Sequence, residues 1–265
     1  MRARGGLAEQ VTVRYGPRKL LLRYFERVDE SICDRGLHIL ICMDFDRLVR
    51  LNESNCDNGP PVMPFNDPSF NTLDDGRAFW LDVRDRRSDT VMTHSARLFD
   101  WSDTTLEQET RTLRLLYPDP SPYVARGDAI EIVDAPSAKQ ITGQVALLAS
   151  KWVRPDYRGL GIANMVAGAT RALSCTLWDP NYIIGFVEPV THRLGITRTL
   201  GKYQVEEGMD FRVAGHVKKR GMLVWMTGQT AFDEIANVLW SGQKRAIAQK
   251  RNAQTKLIAA PAGPW

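Results

Sequence analysis

Apolar residues recur at helical intervals in the segment KLLLRYFERVDESICDRG, where Leu21, Leu22, Phe25, Val28 and Ile32 form one stripe and Gly36 stands as a C-cap. The pattern then shortens to the compact run LHILICM, which suits a buried strand. In DFDRLVRLNESN after it, Asp44 can cap a short helix that turns Leu48, Val49 and Leu51 inward. Residues 55–76 hold four prolines among many turn formers and predict one long loop, a feature often tied to function. A polar turn between residues 78–84 and 90–99 predicts a hairpin. Thr104 and Glu107 then stand at capping-box spacing, with Leu106, Leu113 and Leu116 as a stripe, predicting a helix that Pro118 ends. A second irregular region follows, with one short strand at 129–133.

The second half is more regular. QVALLASKWV predicts a strand, Ile162, Val166, Ala169 and Leu173 line one face of a helix, and NYIIGFVEP predicts another buried strand. Strand, helix and strand at this spacing imply a right-handed parallel crossover. THRLGITRTLG predicts a short helix, and YQVEEGMDFRV with KRGMLVWMT a pair of closing strands. AFDEIANVLWSGQKRAIAQKRNAQTKL begins as an amphipathic helix, turns basic, and runs into the loose tail IAAPAGPW. The expected organisation is a helical extension over 1–36, one domain over 37–228 with an insertion near 100–140, and a C-terminal helix and basic tail over 229–265.

Composition narrows the classes. With 265 residues and 43% hydrophobic content the chain can bury a large core. The 35 basic residues against 31 acidic leave a net charge of +4, too small by itself to imply nucleic-acid or membrane binding. The excess is local: Lys244, Arg245, Lys250, Arg251 and Lys256 follow one another without an acidic residue. A solvated helix end is the ordinary explanation, because cations favour a helix C-terminus; contact with RNA or an acidic partner is the alternative. Cys33, Cys42, Cys56 and Cys175 form no C-x-x-C pair, and no histidine pair has zinc-finger spacing, so neither a disulfide framework nor a metal site is expected. No signal peptide and no stretch long enough for a bilayer is recognisable, which makes a cytoplasmic protein the expectation.

The stretch VRPDYRGLGIA, residues 153–163, carries the chemistry. It places Gly159 and Gly161 where a helix begins, although serine or aspartate would cap better. A helix start has unpaired N–H groups and a partial positive charge, and glycine lets a ligand approach the backbone closely. Arg158 adds a fixed cation with fork geometry. Together these point to a bound pyrophosphate. The triphosphate loop G-x-x-x-x-G-K-[ST] is excluded, since no lysine follows Gly161. The dinucleotide fingerprint G-x-G-x-x-G meets Asn164 at its third glycine, and Asp179 precedes the next strand instead of ending it.

Arg158, Gly159, Leu160, Gly161, Ile162 and Ala163 match R/Q-x-x-G-x-G/A, and WVRPDYRGLGIANMVAGATRAL resembles the coenzyme-A-binding motif of the GCN5-related N-acetyltransferase superfamily. The resemblance is specific over 145–175, softer over 180–225, and before residue 100 rests on element order. It implies an α/β fold with a mixed, mostly antiparallel central sheet, a splayed parallel strand pair and helices on both faces. It further implies that backbone groups near Trp152 and Val153 hold pantetheine, and that the amides of Gly159, Leu160, Gly161, Ile162 and Ala163, helped by Arg158, hold the pyrophosphate. The implied reaction is acetyl transfer from acetyl-coenzyme A to an amine by direct attack, with a backbone N–H near Ser150 or Lys151 stabilising the oxyanion. No metal is implied.

Two departures concern proton transfer from an ammonium whose pKa is about 10.4 if lysine-like. QVALLASKWV holds no carboxylate where the family often supplies a glutamate. Thr197 and Lys202 stand where Y-x-x-x-G-F would place tyrosine and phenylalanine. Substitutes by position are His192, ranked first because histidine as a residue type suits acid or base work, then Tyr203 and Glu188. Their ordinary alternatives are a surface helix cap, a half-buried strand residue and a solvated carboxylate. Trp80, Trp101, Trp152 and Trp178 suit core or loop packing, with Trp80 and Trp101 flanking acceptor-side elements. Asp44, Asp46, Asp74 and Asp75 would suit a cationic amine, or simply a solvated loop. The competing function is a catalytically weak or inert acyl-coenzyme-A-binding regulator or scaffold. Partners are then an amine on a small molecule or protein, with a homodimer allowed; acyl chain length and acceptor identity stay open.

Overall fold

A computed structural model describes residues 5–55, 61–73, 76–132, 134–193, 202–213 and 219–239. The first helical stripe forms α2 (Arg18–Cys33), preceded by the single turn α1 (Leu7–Gln10). It buries Leu21, Tyr24, Phe25, Val28 and Ile32. Gly36 ends it at φ 70°, with Leu37 N donating back to Ile32 O at 3.1 Å, because only glycine enters the left-handed region without cost. Next come β1 (His38–Cys42) and α3 (Phe45–Glu53), the latter capped by Asp44, whose carboxylate accepts Arg47 N at 2.9 Å.

The hairpin forms as β2 (Ala78–Arg84) and β3 (Thr90–Trp101), β3 running two residues beyond its expected end. The helix expected to run from Thr104 to Pro118 is shorter and is capped one residue later. It is α4 (Leu106–Arg111), and Thr105, not Thr104, accepts Gln108 N. Leu113 takes φ 60° and breaks it. Leu113, Leu115, Leu116 and Tyr117 are nonetheless buried, so tertiary packing overrides the helical stripe. A further turn, α5 (Ser121–Ala125), leads to β4 (Ala129–Ile132). The chain continues through β5 (Gly143–Val153), α6 (Ile162–Trp178), β6 (Tyr182–Val187), α7 (Pro189–Arg193), β7 (Gln204–Arg212), β8 (Lys219–Thr227) and a helix α8 over 228–239. Thr197 and the end of the helix expected around it lie outside the described residues, as do Asp74, Asp75, Cys56 and the basic tail.

The described strands make one sheet in the order β1-β2-β3-β5-β6-β8-β7-β4. Every neighbouring pair is antiparallel except β5 and β6. Alternation divides the core between the two faces. Phe79 and Leu81 of β2 and Ala146 and Leu148 of β5 pack with α2, α6 and Ile235 of α8 on one face. Val145, Leu147, Ile184 and Leu223 pack on the other with Leu106 and Leu116. This is the mixed, mostly antiparallel sheet with helices on both faces that the resemblance implied. Residues 7–32 share the α6 core, and the 100–140 region contributes β4 as the outer strand beside β7.

Among the described residues no helix is long and apolar enough to cross a membrane. Cys33, Cys42 and Cys175 are free thiols.

Candidate functional site

The sheet opens at its centre. β5 and β6 pair in parallel only from Val145 and Tyr182 to Leu148 and Gly185. Beyond that point β5 follows β3, with Trp152 opposite Thr93, while β6 follows β8, with Val187 opposite Met222. Gly185 marks the parting: a Cβ there would stand 3.2 Å from Leu148 O. Downstream of it the edge of β5 that faces the gap has no strand neighbour among the described residues.

A β-bulge sits at the same place. Ser150 and Lys151 together oppose His94 between the pairs Ser95–Ala149 and Thr93–Trp152, and Ser150 takes φ 49°. Three hydrogen bonds hold the bulge. Thr93 Oγ1 donates to Ser150 O at 2.9 Å, and Asn66 Nδ2 donates to Ser150 Oγ at 3.1 Å and to Ser95 Oγ at 2.7 Å. Asn66 is fully buried at the inner end of the long loop, whose role here is to brace the bulge. A left-handed non-glycine residue costs about 1–3 kcal/mol and persists only where its surroundings impose it.

Beyond β5 the chain makes a tight turn at Pro155–Tyr157 and enters α6. Arg158 Nε donates to Val153 O at 3.1 Å and ties the loop to the strand end. Gly159 and Gly161 both take positive φ, 78° and 76°, so their conformation alone calls for glycine. A Cβ at either would meet nothing within 4 Å. Among the described residues the space beside the helix start is therefore open, and no side chain caps it. The first amides of α6 face outward with a helix dipole behind them, an arrangement suited to phosphate. Leu160, between the glycines, is exposed.

A cavity of about 370 Å³ fills the gap between β5 and β6. Its walls include Leu148, Ala149, Ser150, Lys151 and Trp152 of β5, the β6 segment from Ile184 to Glu188, and Ala167 with Arg171 of α6. Phe65, Phe211 and Arg220 close it from the opposite face of the sheet. Of the residues singled out in the sequence, Ser150, Lys151, Trp152, Glu188 and Tyr203 line this cavity, with Glu188 exposed and Tyr203 half-buried. Arg158 through Ala163 lie outside it at the start of α6. His192 lies on α7, half-buried and outside the lining, with its N–H on Glu188 O at 3.4 Å.

The aspartates are elsewhere: Asp44 caps α3 and neither it nor Asp46 lines the cavity. Trp80, Trp101 and Trp178 are buried packing residues. Trp80 Nε1 bonds Asp44 O and Trp178 Nε1 bonds Gly76 O. Trp152 is different, because among the described residues its indole N–H in the cavity wall has no partner.

Three polar side chains of the cavity wall, His94, Lys151 and Arg171, were given no side-chain role by the motif. His94 is buried, its Nδ1 2.9 Å from Thr170 Oγ1. Thr170 already donates its only hydroxyl proton to Val166 O, so Nδ1 carries the histidine proton and Nε2 is left as the acceptor. Burial, then Lys151 and Arg171, drive the His94 pKa down to about 3, so it is neutral at ordinary pH. Lys151 is also pushed down, by burial first and Arg171 second. Arg171 pairs with Glu234 of α8 at 3.4 Å and lies over the Tyr203 ring at 5.3 Å. Burial raises the Tyr203 phenol against the pull of Arg171. Arg171 had a visible signal, being the single charged residue among the seventeen of α6. His94 and Lys151 sit in alternating strand sequence and had none. Among the described residues no group of three or more His, Cys, Asp or Glu side chains is placed to hold a metal.

No family model matches the chain, and no curated protein matches it. Solved structures similar to it include mutant forms of the spermidine/spermine N-acetyltransferase SpeG from Vibrio cholerae, at 10% identity and a TM-score of 0.44, covering 76% of this chain and 98% of that one. A dodecameric spermidine N-acetyltransferase from Vibrio cholerae is similar at 10% identity and a TM-score of 0.42, covering 73% of this chain and 95% of that one.

Proposed function

We propose that the protein is an acyl-coenzyme-A-dependent N-acyltransferase that moves an acyl group, acetyl in the simplest case, to an amine. One observation carries this reading: the open, left-handed glycine start of α6 stands at the end of a strand that has parted from its parallel neighbour around a cavity. A pyrophosphate needs bare amides, and an amide-bearing arm needs an unpaired strand edge. Both occur within residues 149–163.

Coenzyme A would supply the activated thioester. The amides of Gly159 to Ala163 would hold its pyrophosphate, and the free edge of β5 near Trp152 and Val153 its pantetheine arm. The bulge at Ser150 and Lys151 would turn a backbone N–H toward the carbonyl oxygen as charge develops there. In the transfer the amine nitrogen bonds to the acyl carbon, the carbon–sulfur bond breaks, and a proton reaches the departing sulfur. Tyr203, kept protonated by burial, is the proton donor favoured by its place in the cavity wall. Glu188 at the exposed end suits proton removal through water. His192 lies outside the lining and is the weaker choice for either step.

The inert-binder alternative has one observation in its favour. The one histidine among the cavity-lining residues, His94, is held neutral far below neutrality and cannot deprotonate an ammonium efficiently. Calorimetry with acetyl-coenzyme A, followed by thiol release in the presence of pooled amines, separates the two. Micromolar binding with amine-dependent thiol release is expected. Binding without release under any acceptor supports the scaffold, and no binding removes both readings.

A further inference from the structure

Lys151 and Arg171 both line the cavity, one from the bulge of β5 and one from α6. Arg171 is only 9% exposed, and among the described residues its Nη1 has no hydrogen-bond partner. Its acidic neighbour is Glu234, which also accepts the backbone N–H of Lys202. The other groups packed around the pair, Tyr24, Tyr203, His94 and Cys175, are neutral at ordinary pH. Among the described residues two cations stand against one carboxylate, so the half-buried Lys151 has no counter-ion at the cavity wall. An unpaired charge that is partly withdrawn from water is unfavourable, and a second anion would balance it.

The remaining charges on the cavity wall do not supply that anion. Arg220 adds a third cation and is engaged with Asp210 at 2.9 Å. Glu188 is exposed at the end of β6. Arg171 lies nine residues beyond Ile162, about 13 Å along the helix by its rise per residue. The cation pair thus stands well inside the cavity from the helix start, on the side where an arm anchored there would deliver its reactive end.

We infer that Lys151 and Arg171 form a carboxylate-binding subsite, and that one of the two substrates carries a carboxylate close to its reacting centre. This rests on the acyltransferase reading above. The carboxylate has two possible carriers. It can be the far end of a dicarboxylic acyl chain on the donor, or the acid group of an amino acid serving as acceptor. In both cases the guanidinium Nη1 and the ammonium donate to the same anion, which fork geometry and charge favour.

The test uses the full chain in two arms. In the donor arm, calorimetry compares acetyl-coenzyme A with succinyl-coenzyme A. In the acceptor arm, thiol release from acetyl-coenzyme A compares ethylamine with β-alanine, which differ by a carboxylate. A preference of at least tenfold for the carboxylate-bearing member is expected in one arm, and the arm showing it identifies the carrier. Lys151→Met should erase that preference and Lys151→Arg should keep it. If Lys151→Met is too unstable to purify, Lys151→Gln takes its place. Equal behaviour of both members in both arms, or a preference that survives loss of the lysine charge, overturns the inference while leaving acyl transfer intact. Failure of every coenzyme A thioester to bind removes the acyl-transfer reading and the inference with it.

Discussion

Helices α3 and α6 begin in opposite ways. Asp44 gives α3 a carboxylate that accepts Arg47 N at 2.9 Å, so the orphan donors of its first turn are partly satisfied by the chain itself. Gly161 gives α6 nothing of the kind, and both glycines before it and at its cap sit at positive φ beside open space. Yet α6 is the longer helix and is buried along most of its length, with Val166, Ala169, Ala172 and Leu173 in the main core. Packing stabilises α6 enough that it needs no cap, which leaves its amides available to a ligand. The shorter α3, which buries Phe45 and Leu48, uses its first turn for a cap instead.

The contrast is broken most severely at Gly161. Gly161→Val forces a β-branched residue into the left-handed region and fills the open space, so coenzyme A affinity should fall at least about 100-fold, roughly 2.7 kcal/mol, in calorimetry. Retained affinity would falsify the assignment of the helix start. A second difference lies in what each helix buries: α6 covers His94 through Thr170, whereas α3 buries Phe45 and Leu48. His94 has its pKa lowered from 6.5 to about 3. Above pH 6.5 both folded and unfolded states are neutral there and stability is fully present. As pH falls from 6.5 toward 3 the unfolded state alone gains the proton, so stability is lost by up to about 1.4 kcal/mol per pH unit. Denaturant titrations should show a shallower acid slope for His94→Gln than for the wild type in that window.

Smaller effects belong to the capped helices. Asp44→Ala should cost about 1 kcal/mol in chemical denaturation and leave coenzyme A affinity unaltered. A change in affinity there would mean that the two helix starts are coupled. Thr105→Ala at α4 should cost less, about 0.5 kcal/mol, because the Thr105 bond to Gln108 N is long at 3.3 Å and Thr104 already contacts the Gln108 side chain.

The strand and helix order was legible because period and punctuation agree in most segments: α2 with Gly36, α3 with Asp44, and the crossover β5-α6-β6. It failed at residues 104–118, where Leu113 and Leu116 have helical spacing but are drawn into the second core by long-range contacts with a backbone that bends at Leu113. The glycine start of α6, on which the donor proposal rests, was readable for the same reason as α3: it lies in one short stretch. The cavity was not. Asn66, His94, Lys151, Arg171 and Glu234 come from five distant segments, and nothing local to any of them signals the others.

By itself the sequence determined the helix start and its glycines, since left-handed backbone and uncapped amides are properties of a few consecutive residues. Tertiary structure alone decided where β5 and β6 part, at Leu148 and Gly185, that a bulge forms at Ser150, and that two cations line one gap. Those outcomes depend on strand register and on charges brought together across the fold, and electrostatic energy follows distance in space, not separation along the chain.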